Sequence, residues 1–213
     1  MATDPHGAEY FQLAATVRHK LRKADPRANT MLNLLEVYVN AAIFQHDRIV
    51  RGDRQSKQAF GELWTNLLPS LRDEHLFYSL SDKLWNVNEV IFRDIHFYLV
   101  CVDKVEKLHR RFLEIVAPLA EELDNPMEFR QLRKLTQRTL AQAVSQPVKA
   151  RDFLEHIDKE ILEGNFGGLK HEVNASQHTF LYGSQESVMI DTELLKKAYQ
   201  AVIRMLEHLP DRE

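Results

Sequence analysis

The sequence predicts an all-α protein, an antiparallel helical bundle with a short β-hairpin before its C-terminal helix. Glycine and proline are scarce, with seven of each in 213 residues, whereas average usage is about 7% and 5%. Apolar residues recur every three to four positions over long stretches, which is the helical period. Since 44% of the residues are hydrophobic and 28% are charged, we expect residues 1–213 to fold as a single all-α domain.

Prolines and glycines divide the chain into seven predicted helices. The predicted helices span residues 9–23, 28–50, 57–68, 82–116, 127–144, 147–163 and 191–209. The first ends before Pro26, because the residue that precedes a proline is disfavoured in a helix. Gly52 is predicted to end the second helix and Pro69 the third, while Pro147 suits the first turn of a new helix.

Capping residues and a change of pattern mark the remaining boundaries. Ser81, Asn125 and Asp191 stand where predicted helices begin, and such side chains accept hydrogen bonds from the free N–H groups of a first turn. A glycine-rich loop is predicted at 164–168. Residues 179–190 then predict a short hairpin that turns around Gly183.

The two longest predicted helices have the apolar patterns of bundle helices. Helix 28–50 is apolar around almost its whole circumference, which predicts a position inside the bundle. Helix 82–116 carries an apolar seam at alternating steps of four and three, interrupted only at His109, as in antiparallel bundles. The seam consists of Ile91, Ile95, Tyr98, Val102, Val105, Phe112 and Val116.

Composition excludes several classes of function. The 28 Lys and Arg against 31 Asp and Glu argue against a strongly cationic protein, although a local basic patch is compatible with them. The single cysteine, Cys101, excludes an internal disulfide framework and a cysteine-rich zinc module. We expect no secretory signal, no membrane span and a cytoplasmic location, because the longest apolar run, 97–102, is short.

One short motif contains residue types that are used in catalysis. In Arg151-Asp152-Phe153-Leu154-Glu155-His156 an arginine and a polar residue precede a histidine by a few positions, near the predicted start of helix 147–163. This motif, with the hairpin and final helix that follow it, resembles the HEPN superfamily over roughly residues 85–209. The superfamily consists of all-helical bundles, many of which are metal-independent ribonucleases of toxin and phage-defence systems. The resemblance implies an RNA substrate, no cofactor, a homodimer with two facing motifs and, for a toxin, a cognate antitoxin protein.

The residue types of the motif suit RNA cleavage without metal. Asp152 and His156 are four apart and share a helix side, so the carboxylate can orient the imidazole. His156 would act as general base or acid, and Arg151 would bind the phosphate. Arg151 and His156 point about 140° apart on a helix, so the long arginine must reach back toward the ring. The alternative is a structural stripe, as in catalytically silent members of the superfamily.

His109 is the second candidate catalytic residue. It lies within the seam and is flanked by Glu106 and Arg110, where it would line the same cleft as the motif or form a hydrogen bond in the core. The Glu106–His109 step matches one element of a di-iron bundle site. The sequence has no second copy of this step, so no metal site is predicted.

Two polar patterns complete the candidates. Arg130, Arg133, Lys134 and Arg138 lie near one helix side, which predicts a track for nucleic-acid phosphates or an ordinary solvated face. On helix 28–50, Asn33, Glu36, Asn40 and Asp47 form a polar stripe. Such a stripe faces either a polar cleft, where its groups need partners, or solvent.

Overall fold

The computed structural model describes residues 2–3, 9–70, 72–123, 125–157, 163, 169–174, 177–182 and 186–209. The predicted fold class is confirmed, since the chain forms an all-α bundle with an antiparallel hairpin before the last helix. The helices are α1 (Ala15–Ala24), α2 (Pro26–Thr65), α3 (Leu67–Ser70), α4 (Glu74–Val116), α5 (Pro126–Glu155) and α6 (Glu193–Glu207), with a 3₁₀ helix at Ala117–Glu122. The strands are β1 (Ala2–Thr3), β2 (Glu9–Tyr10), β3 (Leu169–Asn174), β4 (Gln177–Tyr182) and β5 (Glu186–Ile190).

The boundary between α1 and α2 follows the prediction from Pro26. The backbone N–H of Asp25 donates to the carbonyl of Leu21 at the end of α1. The Asp25 side chain accepts a hydrogen bond from the Arg27 N–H at 2.8 Å and caps α2, whose first residue is Pro26. The predicted first helix, 9–23, was too long at its beginning, because Glu9 and Tyr10 pair with β1 instead.

The predicted break at Gly52 is wrong, because α2 continues through it to Thr65. A Cβ at position 52 would lie 2.7 Å from Cγ1 of Ile91 on α4. Gly52 is therefore the place where the two long helices approach closely, and this packing outweighs the low helix propensity of glycine. Residues 57–68 consequently belong to α2 and α3 and do not form a separate helix.

The predicted boundaries of helices 82–116, 127–144 and 147–163 are also corrected. Helix α4 begins at Glu74, where the Asp73 carboxylate accepts the Leu76 N–H at 3.2 Å and replaces Ser81 as the cap. Helix α5 runs continuously through the buried Pro147. Its neighbours Val144 and Ala150 are buried, and this packing compensates for the backbone hydrogen bond that proline cannot donate. Residues 158–162 lie outside the described part of the chain.

The predicted hairpin is present and belongs to a larger sheet. Strands β4 and β5 pair antiparallel across the predicted 179–190 region, and Phe180 pairs with Val188. Strand β3 pairs with β4 on its other edge, so the sheet has three strands in the order β3-β4-β5. The third strand was missed. The loop 164–168 and the turn residues 183–185 lie outside the described residues.

The hydrophobic core is formed by α1, α2, α4, α5, α6 and the sheet. Its buried residues reach Ile49 on α2 and begin at Ile91 on α4, with the half-buried Val87 packed against them, so the distal parts of these helices lie largely beyond the core. We call residues 53–65 and 74–90 the arm. Among the described residues of the arm, Ala59 has the one buried side chain. No helix in the described part of the chain is long and apolar enough to cross a membrane.

Helix α2 departs from its sequence pattern in two ways. It is not buried all round, because Leu34 and Val37 are exposed at 42% and 59%. Three members of its polar stripe, Asn33, Glu36 and Asn40, contact the segment before and within α1, and Asn33 also lines a cleft beside Arg18. The fourth, Asp47, lies next to His46. Asn40 exchanges two hydrogen bonds with the backbone of Phe11, and Glu36 accepts the Leu13 N–H at 2.9 Å. These side chains of α2 therefore hold the N-terminal segment in place.

Candidate functional site

Arg151 lies at the end of α5, where its guanidinium is surrounded by carboxylates. It pairs with Asp152 at 3.0 Å and with Glu155, and its side chain is 19% exposed. Burial tends to lower the pKa of Arg151, but the Asp152 hydrogen bond and the charges of Asp103 and Glu155 raise it above its usual value. Because carboxylates are unfavourable at the C-terminal end of a helix, Arg151 partly offsets the charges of Asp152 and Glu155 there.

His156 lies at the C-terminal end of α5. It is the C-cap of α5, where its backbone N–H donates to the carbonyl of Phe153 at 3.1 Å, and its side chain is exposed. Among the described residues, no hydrogen bond or ion pair joins the His156 imidazole to Arg151 or Asp152. The motif therefore ends a 30-residue helix, and the prediction that it begins one is wrong.

A cleft of about 640 Å³ lies between α4 and α5. This volume is within the usual range of about 300–1,000 Å³ for ligand sites. Its walls include the apolar residues Leu113, Leu140 and Val144. The polar residues at the cleft are Glu106, His109, Arg110 and Glu114 from α4, and Arg133, Gln137 and Ser145 from α5. The cleft thus brings together two predicted site residues, His109 and Arg133, whereas Arg151, Asp152 and His156 are not among the residues that line it.

His109 is a buried, neutral histidine. It is 3% exposed, and its Nε2 has no hydrogen-bond partner among the described residues. Burial lowers the pKa of the imidazole to about 4, so the ring is uncharged at neutral pH. A buried polar atom without a partner is costly, which makes His109 the least satisfied polar group at the cleft.

The four predicted phosphate-binding residues lie along α5. Arg130, Lys134 and Arg138 are exposed, and Arg133 is half-buried at the cleft. None of the four forms an ion pair with another residue in the described part of the chain. Lys107 and Arg111 on α4 differ in this respect, because they pair with Asp103 at 2.8 Å and with Glu114 at 2.9 Å. The basic face of α5, defined as these four residues, is therefore available to an anionic partner.

Three polar residues at the cleft were missed from sequence, Glu114, Gln137 and Ser145. Gln137 follows Arg133 by four positions, which places the two on the same side of α5. That spacing was the available signal, but neutral side chains at such positions are common on solvated helix faces. The described residues contain no group of three or more His, Cys, Asp or Glu arranged to hold a metal ion.

No family model, curated protein or solved structure matches this chain. The site is accordingly defined by its own geometry, as an open cleft between two bundle helices with a buried neutral histidine and a cationic flank.

Proposed function

We propose that this chain is a non-catalytic HEPN-like helical module that binds RNA through the basic face of α5. The observation that carries the proposal is the set of four cationic side chains that lack carboxylate partners among the described residues, beside an open cleft. Lysine and arginine contacts to phosphates supply most of the sequence-independent affinity for nucleic acids. Arg130, Lys134 and Arg138 follow one another at four-residue steps, so they line up along the helix.

The adjacent cleft supports single-stranded rather than duplex RNA. Proteins commonly bind unstacked bases in pockets that combine apolar walls with groups for the base edges. Leu113 and Leu140 supply such walls, while Arg133, Gln137 and Ser145 supply hydrogen-bonding groups. A base inserted here would have its phosphates next to the basic face of α5.

The environment of the motif favours a binding role over catalysis. The Arg151 guanidinium is already engaged by Asp152 and Glu155, so it would have to leave two carboxylates to clamp a phosphate. His109 is a poor substitute as general base, because its Nε2 is buried and its pKa is about 4. Efficient general bases have a pKa near the working pH.

The second candidate is the metal-independent endoribonuclease that the resemblance implies, and the exposed imidazole of His156 favours it. His156 would take the proton of a 2′-hydroxyl while the 2′-oxygen attacks phosphorus. The P–O5′ bond then breaks, the proton passes to the 5′-oxygen, and the products are a 2′,3′-cyclic phosphate and a 5′-hydroxyl. This reaction requires the phosphate to displace Asp152 and Glu155 from Arg151. The implied homodimer and antitoxin belong to this candidate.

RNA binding is tested by fluorescence anisotropy with a labelled single-stranded RNA over a range of salt concentrations. The triple variant Arg130→Gln, Lys134→Gln, Arg138→Gln should bind at least tenfold more weakly, with a salt slope reduced by about one per residue. The matched control is Arg54→Gln, Arg72→Gln, Arg93→Gln, which removes the same charge from exposed positions elsewhere. Equal losses in the two variants, or no binding by the wild type at low salt, would refute the proposal.

Catalysis is tested by incubating the wild-type protein with mixed RNA in EDTA, beside Arg151→Ala and His156→Ala. The non-catalytic proposal expects intact RNA in every sample. Cleavage that survives chelation and disappears in both variants would replace that proposal with the nuclease. His75→Ala, which removes an exposed histidine of the arm, controls for a general loss of imidazole groups.

A further inference from the structure

The arm is a two-helix antiparallel hairpin that extends beyond the core. Its helices are held in register by polar contacts between α2 and α4. Ser56 Oγ donates to Asn88 Oδ1 at 2.7 Å, and Lys83 pairs with Glu62. Rising residue numbers on α2 thus face falling numbers on α4, with Ala59 in the seam between them.

One side of the arm is aromatic. Phe60, Trp64, Tyr78 and Trp85 are exposed at 56%, 68%, 56% and 72%, and the Phe60 and Trp64 rings stack with centroids 6.4 Å apart. Phe60 follows the seam residue Ala59 by one position, a rotation of about 100°. Trp85 follows the half-buried Leu84 in the same way. Because the helices are antiparallel, equal rotations from the seam point to the same side of the hairpin. We call these four residues the aromatic face of the arm.

The opposite side of the arm is polar. Gln58 Nε2 donates to Glu62 Oε1 at 3.1 Å, and Glu62 also pairs with Lys83. These residues precede the seam positions by one or follow them by three, which points them away from the aromatic face. The arm is therefore amphipathic across its width, although none of its exposed aromatic side chains is needed for its own seam.

We propose that the aromatic face of the arm is the contact surface for a second copy of this chain. Two arms related by a two-fold axis would place their aromatic faces together and form an antiparallel four-helix bundle. This proposal concerns a surface remote from the α4–α5 cleft and does not depend on RNA binding.

The area of the face reaches the lower limit for a specific dimer interface. An aromatic side chain offers roughly 150–250 Å², so the exposed fractions of the four give roughly 500 Å² per copy. Two copies would bury roughly 1,000 Å² from these residues alone, which reaches the size of a specific interface. Tryptophan and tyrosine are also the residues most enriched among strongly binding interface positions.

Charge around the face favours a second copy over an anionic surface. Lys57, one turn before Phe60, is paired with Asp53 at 2.9 Å, so it adds no net charge. Asp82 and Glu89 flank Trp85 on α4 and are exposed, and these carboxylates would repel nucleic acid or anionic lipid. A self-contact about a two-fold axis brings aromatic side chains together at its centre and leaves these carboxylates at its polar rim.

A competing apolar surface among the described residues is the exposed stripe on α2. Leu34, Val37 and Phe44 are exposed at 42%, 59% and 39% and lie on one side of the helix. Two of the three are aliphatic, and their exposed fractions are smaller on average. Val37→Lys therefore serves as the matched control for the arm.

The test uses sedimentation velocity and intrinsic fluorescence of the full chain. Both tryptophans of the chain lie in the aromatic face, so their emission reports its burial directly. We expect a wild-type dimer whose tryptophan emission shifts to the red on dilution to monomer. Trp64→Lys and Trp85→Lys should weaken the dimer at least a hundredfold, whereas Val37→Lys should leave it intact.

Three results would overturn the proposal. A wild type that is monomeric at high concentration would show that the face does not bind a second copy. A dimer whose tryptophan emission does not change on dilution would place the contact elsewhere. A dimer lost in Val37→Lys but kept in both tryptophan variants would assign it to α2. Circular dichroism of each variant verifies that the helices are retained, and both tryptophans are exposed, so lysine is tolerated at either position.

Discussion

The Arg48 Nε donates a hydrogen bond to Oδ2 of Asp94 at 3.0 Å, across the boundary between α2 and α4. Asp94 is 3% exposed, whereas the Arg48 side chain is 36% exposed. The two partners are therefore not equivalent. Removal of the arginine leaves a charge buried without compensation, while removal of the carboxylate leaves a cation that water can reach.

We expect Arg48→Met to lower the free energy of unfolding by about 3 kcal/mol and Asp94→Asn to lower it less. Urea denaturation followed by circular dichroism measures both. Arg93→Met, at an exposed position without an ion pair among the described residues, is the control and should stay within about 0.5 kcal/mol of the wild type. Equal effects of the three substitutions would contradict the burial of the Asp94 charge.

Gly52 and Gly61 occupy the same helix but should respond oppositely to alanine. A Cβ at position 52 would lie 2.7 Å from Ile91 Cγ1, while a Cβ at position 61 has no atom within 4 Å. Gly52→Ala should destabilise the protein, because overpacking costs about 1–3 kcal/mol. The higher helix propensity of alanine offsets part of this loss. Gly61→Ala should stabilise it by up to about 1 kcal/mol. Thermal unfolding of the two variants side by side gives the sign of each.

His109 should make stability depend on pH. The pKa of its imidazole is about 4 in the folded protein, against an ordinary value of 6.5, so the unfolded chain binds more protons between these two values. The free energy of unfolding therefore has its full value with respect to His109 above about pH 6.5. It decreases as the pH falls toward 4, by roughly 3 kcal/mol in total. Burial also lowers the pKa of His46 and His178, which act in the same direction.

His109→Leu separates this contribution from those of the other histidines. It removes both the titration and the buried Nε2 that lacks a partner among the described residues, so the variant should be at least as stable as the wild type at pH 7. Its denaturation midpoint should fall less between pH 7 and pH 4. Parallel midpoint curves for the two proteins would show that His109 titrates normally in the folded state.

Glu36 should be required for the stable packing of the N-terminal segment against α2. Its carboxylate accepts the Leu13 N–H at 2.9 Å and the Tyr199 hydroxyl at 2.9 Å, and it pairs with Arg18. Glu36→Leu removes all of these contacts, so residues 11–24 should lose hydrogen-exchange protection and the protein about 2–4 kcal/mol of stability. Exchange measured by mass spectrometry locates the effect. Glu121→Leu, at an exposed site outside both proposed binding surfaces, should leave the protection pattern unchanged.

The sequence predicted those features that depend on a regular local pattern. Each apolar member of the predicted seam, from Ile91 to Val116, is buried on α4, and so is His109. The α1 boundary at Pro26 is correct because proline acts on its immediate neighbour whatever the tertiary structure. Periodicity and proline geometry are short-range effects, and the sequence contains all that they require.

The features that were missed depend on contacts between distant residues. Gly52 and Pro147 normally interrupt helices, and only the packing of α4 and the core against them explains why α2 and α5 continue. The partners of Glu36 lie 23 and 163 positions away. For the site, the position of His109 in a seam was predictable. Its convergence with Arg133 depends on how α4 and α5 pack, which the spacing within either helix does not specify.

The polar stripe of α2 has a consequence for synthesis on the ribosome. Glu36 receives one partner from the segment before α1 and another, Tyr199, from α6, 163 positions later. In a nascent chain the Glu36 carboxylate therefore lacks its Tyr199 partner until α6, the last helix, has emerged. Contacts between residues so far apart in sequence form slowly. The N-terminal segment therefore reaches its final set of contacts only after α6 has packed.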